Sequence, residues 1–347
     1  MNCRVACVKA FSENVEESLW KGIDLAGGFS PADGSCIVIK PNLCTSRKGI
    51  GVTTDLEIVK ALVNYIRLKT KDCEIIVVEG NSDSSATVAF DKLGYTKWAE
   101  TAGVKLQNIS DDKVVKFVLP HGKRLRTLLV PETLLFMDYF VTVACLKRHA
   151  AEKLTCIWKN QYGCIPDKNV RLDMHPFMSE VLYDLNSVYW ADLSIIDARV
   201  CLEGSGPIEG TPKPFGPIIC SKNPLSADVF ASRLVEGKAE KIPSIHYALK
   251  KGLGNASSIE VVGDFTSRRI ALRYISRMQY FLYRLGMWTR RRGLYLINIG
   301  SLFGVVAFAI RAQRFGDLAG GKLMSTTAGL KTVWRLITKF EACERYN

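Results

Sequence analysis

One pattern constrains the fold of this chain more than any other. Short apolar runs at residues 4–9, 36–40 and 74–79 are separated by stretches of helical spacing at 13–26 and 55–69, the second placing Ile58, Leu62, Val63 and Ile66 on one face. Runs that are apolar throughout belong to strands covered on both sides, and a βαβαβ order joins parallel strands through crossover helices. The expected fold is therefore α/β, a mostly parallel sheet with helices on both faces. Residues 105–131 interrupt the rhythm: 114–119 and 125–130 flank His121-Gly122-Lys123 and read as a β-hairpin insertion. The alternation resumes with a buried strand at 139–145, a helix at 175–190, a strand at 193–197, helices at 224–236 and 242–251, and a last strand at 258–262.

Charge divides the chain. The formal net charge is +13, yet residues 265–347 hold 15 Lys+Arg against 3 Asp+Glu, so residues 1–264 are almost neutral. The expected organisation is an α/β domain over 1–264 and a basic, apolar, α-helical C-terminal tail over 265–347. Helical spacing over 270–288 puts Arg273, Arg277 and Arg284 on one face, an uncharged run follows at 293–310, and Lys331, Arg335 and Lys339 recur every four residues. Eighteen helical residues reach about 27 Å, just short of the ~30 Å hydrocarbon core. Three roles stay open: a short span, basic helices lying on a membrane surface through 270–340, or packing against the body or a second copy in an oligomer. Nucleic acid fits less well, because the residues between the arginines are mainly aliphatic and not stacking aromatics. Eleven cysteines without a CxxC pair, after an N-terminus lacking an apolar signal, suggest reduced thiols and a cytoplasmic protein, peripheral at the inner face of the membrane.

Candidate chemistry gathers where strands end, which is where open α/β sheets bind ligands. Lys40 and Asn42 follow the second strand. The stretch after 139–145 carries Lys147, His149, Lys153, Thr155, Lys159 and Asn160. Its cations suit an anionic small molecule. His149 and His175, with Lys147, are the candidate acid/base groups; His149, His175 and Asp197 are the candidate ligands of a divalent metal. The loop 204–210 offers the backbone N–H groups of Gly204 and Gly206 to an anion. No HExxH or HxH pair occurs, and the cysteine spacing does not match a ferredoxin run, so an iron–sulfur cluster on this chain is not expected.

These landmarks, in order, carry a resemblance. Lys40-Pro41-Asn42, Glu79-Gly80-Asn81-Ser82, Leu146-Lys147-Arg148-His149, Thr155, Lys159-Asn160-Gln161-Tyr162-Gly163, His175, Ile196-Asp197, Gly204-Ser205-Gly206-Pro207, Gly210, Asp228 and Lys251-Gly252-Leu253-Gly254 resemble the domain-of-unknown-function family 362 over roughly 37–263. The resemblance implies an α/β domain, and relatives coupled to iron–sulfur modules imply redox or cofactor chemistry with an iron–sulfur redox partner. Here Asn223 precedes Pro224, where the family tends to have aspartate. The tail is outside the resemblance. The resulting expectation is an enzyme acting on an anionic small molecule, with a bound metal or in redox and cofactor metabolism. The alternative is a non-catalytic, membrane-associated binding or scaffold protein.

Overall fold

The computed structural model describes residues 3–10, 14–253, 259–265 and 269–291. The chain opens with β1 (Arg4–Lys9), α1 (Val15–Leu25), β2 (Cys36–Lys40), α2 (Leu56–Lys69), β3 (Glu74–Glu79), α3 (Ala86–Lys92), α4 (Tyr95–Ala102) and β4 (Lys105–Asn108). The hairpin β5 (Val114–Val118) and β6 (Thr127–Pro131) follows, then α5 (Glu132–Leu135), β7 (Tyr139–His149), β8 (Lys153–Thr155), α6 (Ile157–Asn160), α7 (Lys168–Met174) and α8 (Met178–Val188). The remainder is β9 (Leu193–Glu203), β10 (Thr211–Pro214), β11 (Pro217–Ser221), α9 (Pro224–Glu236), α10 (Pro243–Lys250), β12 (Glu260–Val262) and α11 (Arg277–Arg291).

The main sheet runs β12-β1-β11-β9-β7-β2-β3-β4, with β10 on β9 and β8 on β7. From β9 to β4 every neighbour is parallel. Only β11, antiparallel to both β9 and β1, breaks that direction along the main path. Successive strand residues enter opposite cores, as a period of two requires. Ile37, Ile39, Val77, Val141, Val143 and Ile195 join one core with α1 to α4. Val38, Val78, Phe140, Ala144 and Ile196 join the other with α8, α9 and α10. The expected two-faced α/β fold is the one found, and so is the hairpin: Asp184 holds its turn by accepting from the N–H groups of Lys123, Arg124 and Leu125 at 2.6–2.7 Å.

Strand ends differ from the expectation. β7 extends to His149 and β9 to Glu203, each beyond its apolar run. At the far end, the chain divides into compact units Met1–Tyr280 and Phe281–Asn347. The helix expected from 270 begins at Arg277 instead, because Ile270 and Leu272 alternate into the core and draw 269–274 across the body. Arg148 binds there from below. It donates through Nε to Leu272 O at 3.1 Å, pairs with Glu236, and lies 3.8 Å from the centre of the Tyr274 ring. Among the described residues no helix is long and apolar enough to cross a membrane. The apolar run 293–310 and the basic pattern at 330–340 lie outside the described residues.

Candidate functional site

The carboxyl ends of β2, β3 and β7 form the floor of a cavity of about 250 Å³. Lys40 Nζ donates to Glu79 Oε1 at 2.7 Å, both side chains buried. Glu79 also accepts from Leu43 N at 2.7 Å and Gly80 N at 2.9 Å. Two buried charges are tolerable only when paired and hydrogen-bonded in this way. Gly163 closes over the pair: a Cβ there would lie 2.8 Å from Lys40 Nζ and 3.1 Å from Glu79 Oε1. Asn160 Nδ2 donates to Thr142 Oγ1 at 2.9 Å and Lys40 O at 3.2 Å, while its Oδ1 accepts from Asn42 Nδ2 at 3.1 Å. Asn42 Oδ1 in turn accepts from Lys147 Nζ at 2.5 Å.

On β7, period-two alternation sends Cys145, Lys147 and His149 to one side and Leu146 and Arg148 to the other. Lys147 is buried, and its ammonium is occupied by Asn42 Oδ1, Val52 O at 2.7 Å and Cys44 Sγ at 3.6 Å. An ammonium has three N–H donors, so Lys147 is saturated. His149 Nδ1 accepts from Ala151 N at 3.1 Å and Glu152 N at 3.2 Å. That fixes the tautomer: the proton sits on Nε2. Burial, and then the charges of Lys159, His175 and Lys147, hold the His149 pKa well below the usual imidazole range, so the ring is neutral at pH 7.

The opposite wall is helical. Asp228 accepts from Ile157 N and Trp158 N at 2.9 Å, capping the first turn of α6 from another element, while burial pushes its carboxyl up to about 7. This fixes where Lys159 projects. Among the described residues the Lys159 ammonium has no hydrogen-bond or ion-pair partner; it lies 5.7 Å from the centre of the Tyr162 ring. Burial lowers its pKa to about 8, against the opposing charge of Glu152 and with that of Lys147. Arg171, on α7, is 8% exposed and lines the cavity, and its Nη2 is buried without a partner. The Thr155 hydroxyl is buried and unpartnered as well. His175 follows Arg171 by four residues, with its ring 5.8 Å from His149 and edge-on to Tyr162.

Of the residues expected from sequence, Lys40, Asn42, His149, Thr155, Lys159, Asn160 and His175 line this cavity. Lys147 stands behind Asn42. Lys153 is not among the lining residues; with a φ of 60° it opens β8, paired with His149 where the β7–β8 hairpin closes. The glycine loop reaches the cavity through Pro207 and Ile208, not through Gly204 and Gly206. Gly204 N–H is used on Arg273 O at 2.9 Å. Gly206 permits close approach, since a Cβ would fall 2.0 Å from Arg148 O.

Asp197 is not brought to the histidines. It lines a second cavity, of about 920 Å³, where both carboxylate oxygens accept from Arg199 at 2.9–3.0 Å and Arg199 also reaches Asp55 at 2.9 Å. The metal set His149, His175 and Asp197 is thus not assembled. In the tautomer that these contacts require, His149 presents a hydrogen-bond donor, not a lone pair. Among the described residues no group of three or more His, Cys, Asp or Glu could hold a metal ion.

Sequence reasoning misses Arg171, Lys168 and Cys44, which line the cavity too. For the first two a signal exists. Lys168, Arg171, Leu172 and His175 fall at the i, i+3, i+4, i+7 positions of one helical face, and all four line the cavity.

The model of the family described as "Domain of unknown function (DUF362)" matches residues 37–233, from β2 into α9. "Thylakoid-associated protein sll1697" of Synechocystis sp. (strain ATCC 27184 / PCC 6803 / Kazusa) is 25% identical over 235 residues, covering 63% of this chain and 69% of that protein. Among solved structures, the lactate racemase apoprotein from Thermoanaerobacterium thermosaccharolyticum aligns with a TM-score of 0.44 and 12% identity, over 67% of this chain and 57% of that one. A structural-genomics protein from Thermotoga maritima aligns with a TM-score of 0.36 and 12% identity, over 69% of this chain and 59% of that one. The chain therefore spans less than two thirds of either solved structure.

Proposed function

The chain belongs to the DUF362 family, a domain of unknown function, and on that footing we propose that its body binds a small anionic molecule in the cavity between the strand ends and the α6–α7 wall and acts on it by proton transfer. One observation carries this reading. The lining is cationic, its one carboxylate, Glu79, is already held by Lys40, and the Lys159 ammonium, Arg171 Nη2 and the Thr155 hydroxyl have no acceptor among the described residues. The Arg171 and Thr155 donors are buried and the Lys159 ammonium is half-buried; unpartnered donors of this kind are costly, and an anion entering the cavity would satisfy them together. A volume of about 250 Å³ holds roughly eight waters' worth of ligand at about 30 Å³ each, the scale of a small carboxylate or phosphate. In this reading Arg171 binds the anion, neutral His149 donates from Nε2, and His175 carries the proton. Calorimetric titration of the full-length protein with short carboxylates and inorganic phosphate tests it. Saturable binding of one of them is expected, and no heat from any of them would overturn the reading.

A second proposal concerns the tail. The basic excess of 265–347 and the thylakoid association of the Synechocystis relative favour a membrane surface as its partner. Full-length protein should sediment with anionic vesicles and not with zwitterionic ones. Equal behaviour with both would remove the idea.

A further inference from the structure

We infer that Lys159 is a covalent nucleophile and that the anion is a small 2-oxo acid held as an imine on its Nζ, an inference that rests on the anion-binding reading above. The wall carries three cations; Lys168 is exposed, and the geometry divides labour between the other two. Arg171 keeps its charge at any working pH and offers a buried, unpartnered Nη2 to a carboxylate. Lys159 faces the same cavity with no acceptor for its amine, whereas the two lysines of the floor are tied to acceptors. A lysine used only for anchoring would be redundant beside the arginine. One left unpaired and half-buried, with its ammonium open to the cavity, is suited to react. With its pKa lowered to about 8, roughly a tenth of the amine is unprotonated at pH 7, against about one part in three thousand for an ordinary lysine.

The step balances without a further reactant. The Nζ lone pair adds to the carbonyl carbon, and the carbonyl oxygen becomes the hydroxyl of a carbinolamine. The C–O bond then breaks as the C=N bond forms, and the oxygen leaves as water with the two protons that began on nitrogen. His149, a neutral Nε2–H donor, can polarise the carbonyl oxygen without charging, and His175, 5.8 Å away between ring centres, is the group placed to carry the proton.

The test is reductive trapping. Full-length protein is incubated with pyruvate or glyoxylate, reduced with sodium borohydride and mapped by peptide mass spectrometry, while calorimetry follows the oxo acid and its 2-hydroxy counterpart. The expected result is a secondary amine confined to Lys159 and suppressed by saturating 2-hydroxy acid. In Lys159→Arg the adduct should be lost while the 2-hydroxy acid still binds. If the oxo acid binds but no adduct forms, or surface lysines are labelled as heavily as Lys159, the imine is wrong and the anion site stands. If neither acid binds, both are overturned. Suppression of trapping by the 2-hydroxy acid is read on the wild-type chain, so the test survives a variant that fails to fold.

Discussion

The floor and the wall of the cavity carry similar residues and use them in opposite ways. On the floor, Lys40, Glu79, Asn42, Asn160 and Lys147 form a closed network in which each ammonium has its acceptors. On the wall, Lys159 and Arg171 keep open donors, as does Thr155 at the end of β8 just before it. Removing a partner from a buried, satisfied group leaves an uncompensated charge, so the floor is architecture. Open donors cost stability until something fills them, so the wall is where a ligand gains. Residue type does not separate the two; partner count does.

The difference can be broken most forcefully at Glu79. Glu79→Gln strips the buried Lys40 of its counter-charge and should cost about 3–5 kcal/mol in urea unfolding. A loss below about 1 kcal/mol would place the floor among ordinary surface pairs.

Lys159 should behave in the reverse sense. Its folded pKa of about 8 lies below the ordinary 10.5, so between those values the unfolded chain holds the proton and the folded chain has released it. Unfolding then takes up protons, and this lysine's contribution raises stability as pH climbs from 8 to 10.5, by about 1.4 kcal/mol for each pH step of one within that window. Below pH 8 the charged lysine is a liability. Lys159→Met should therefore be more stable than wild type at pH 7, with the gap closing by pH 10.5. Comparing the two profiles cancels the buried thiols and phenols that titrate in the same range.

Lys147→Met should cost about 1–3 kcal/mol by leaving Asn42 Oδ1 and Val52 O without a donor. It should weaken ligand binding only through the displaced Asn42. The smallest effect belongs to Lys153→Gly. Relief at φ 60° and the entropy of glycine nearly cancel, so stability should move by less than about 1 kcal/mol and ligand affinity not at all. A large loss of affinity would return Lys153 to the site.

Much of the fold is legible in the sequence because it rests on short-range pattern. The runs at β2, β3 and the start of β7 have apolar centres, Ile37–Ile39, Ile75–Val78 and Phe140–Val141, and Ile58, Leu62 and Ile66 repeat at helical spacing. Legibility ends where charge enters a strand. Lys147, Arg148 and His149 look like a solvated loop, yet they complete β7, and the two cations among them have remote partners, Asn42 for Lys147 and Glu236 for Arg148. Local sequence does not reveal partners 88 to 105 residues away. The same blindness merges the roles of Lys147 and Lys159, which look alike in sequence, and assigns Asp197 to the histidines when Arg199, two residues on, already holds it. Arg171 is within reach, four residues before His175 on one face. It escapes notice because α7 is a helix of seven residues whose buried position is taken by Arg171 and not by an apolar side chain.

The most direct measurement is calorimetric titration of pyruvate into full-length wild-type protein and into Arg171→Met. The open-donor wall requires saturable binding to wild type and a loss of roughly 10- to 150-fold in the variant, the equivalent of one charged hydrogen bond of about 1.5–3 kcal/mol. Equal affinity in the two proteins would contradict it.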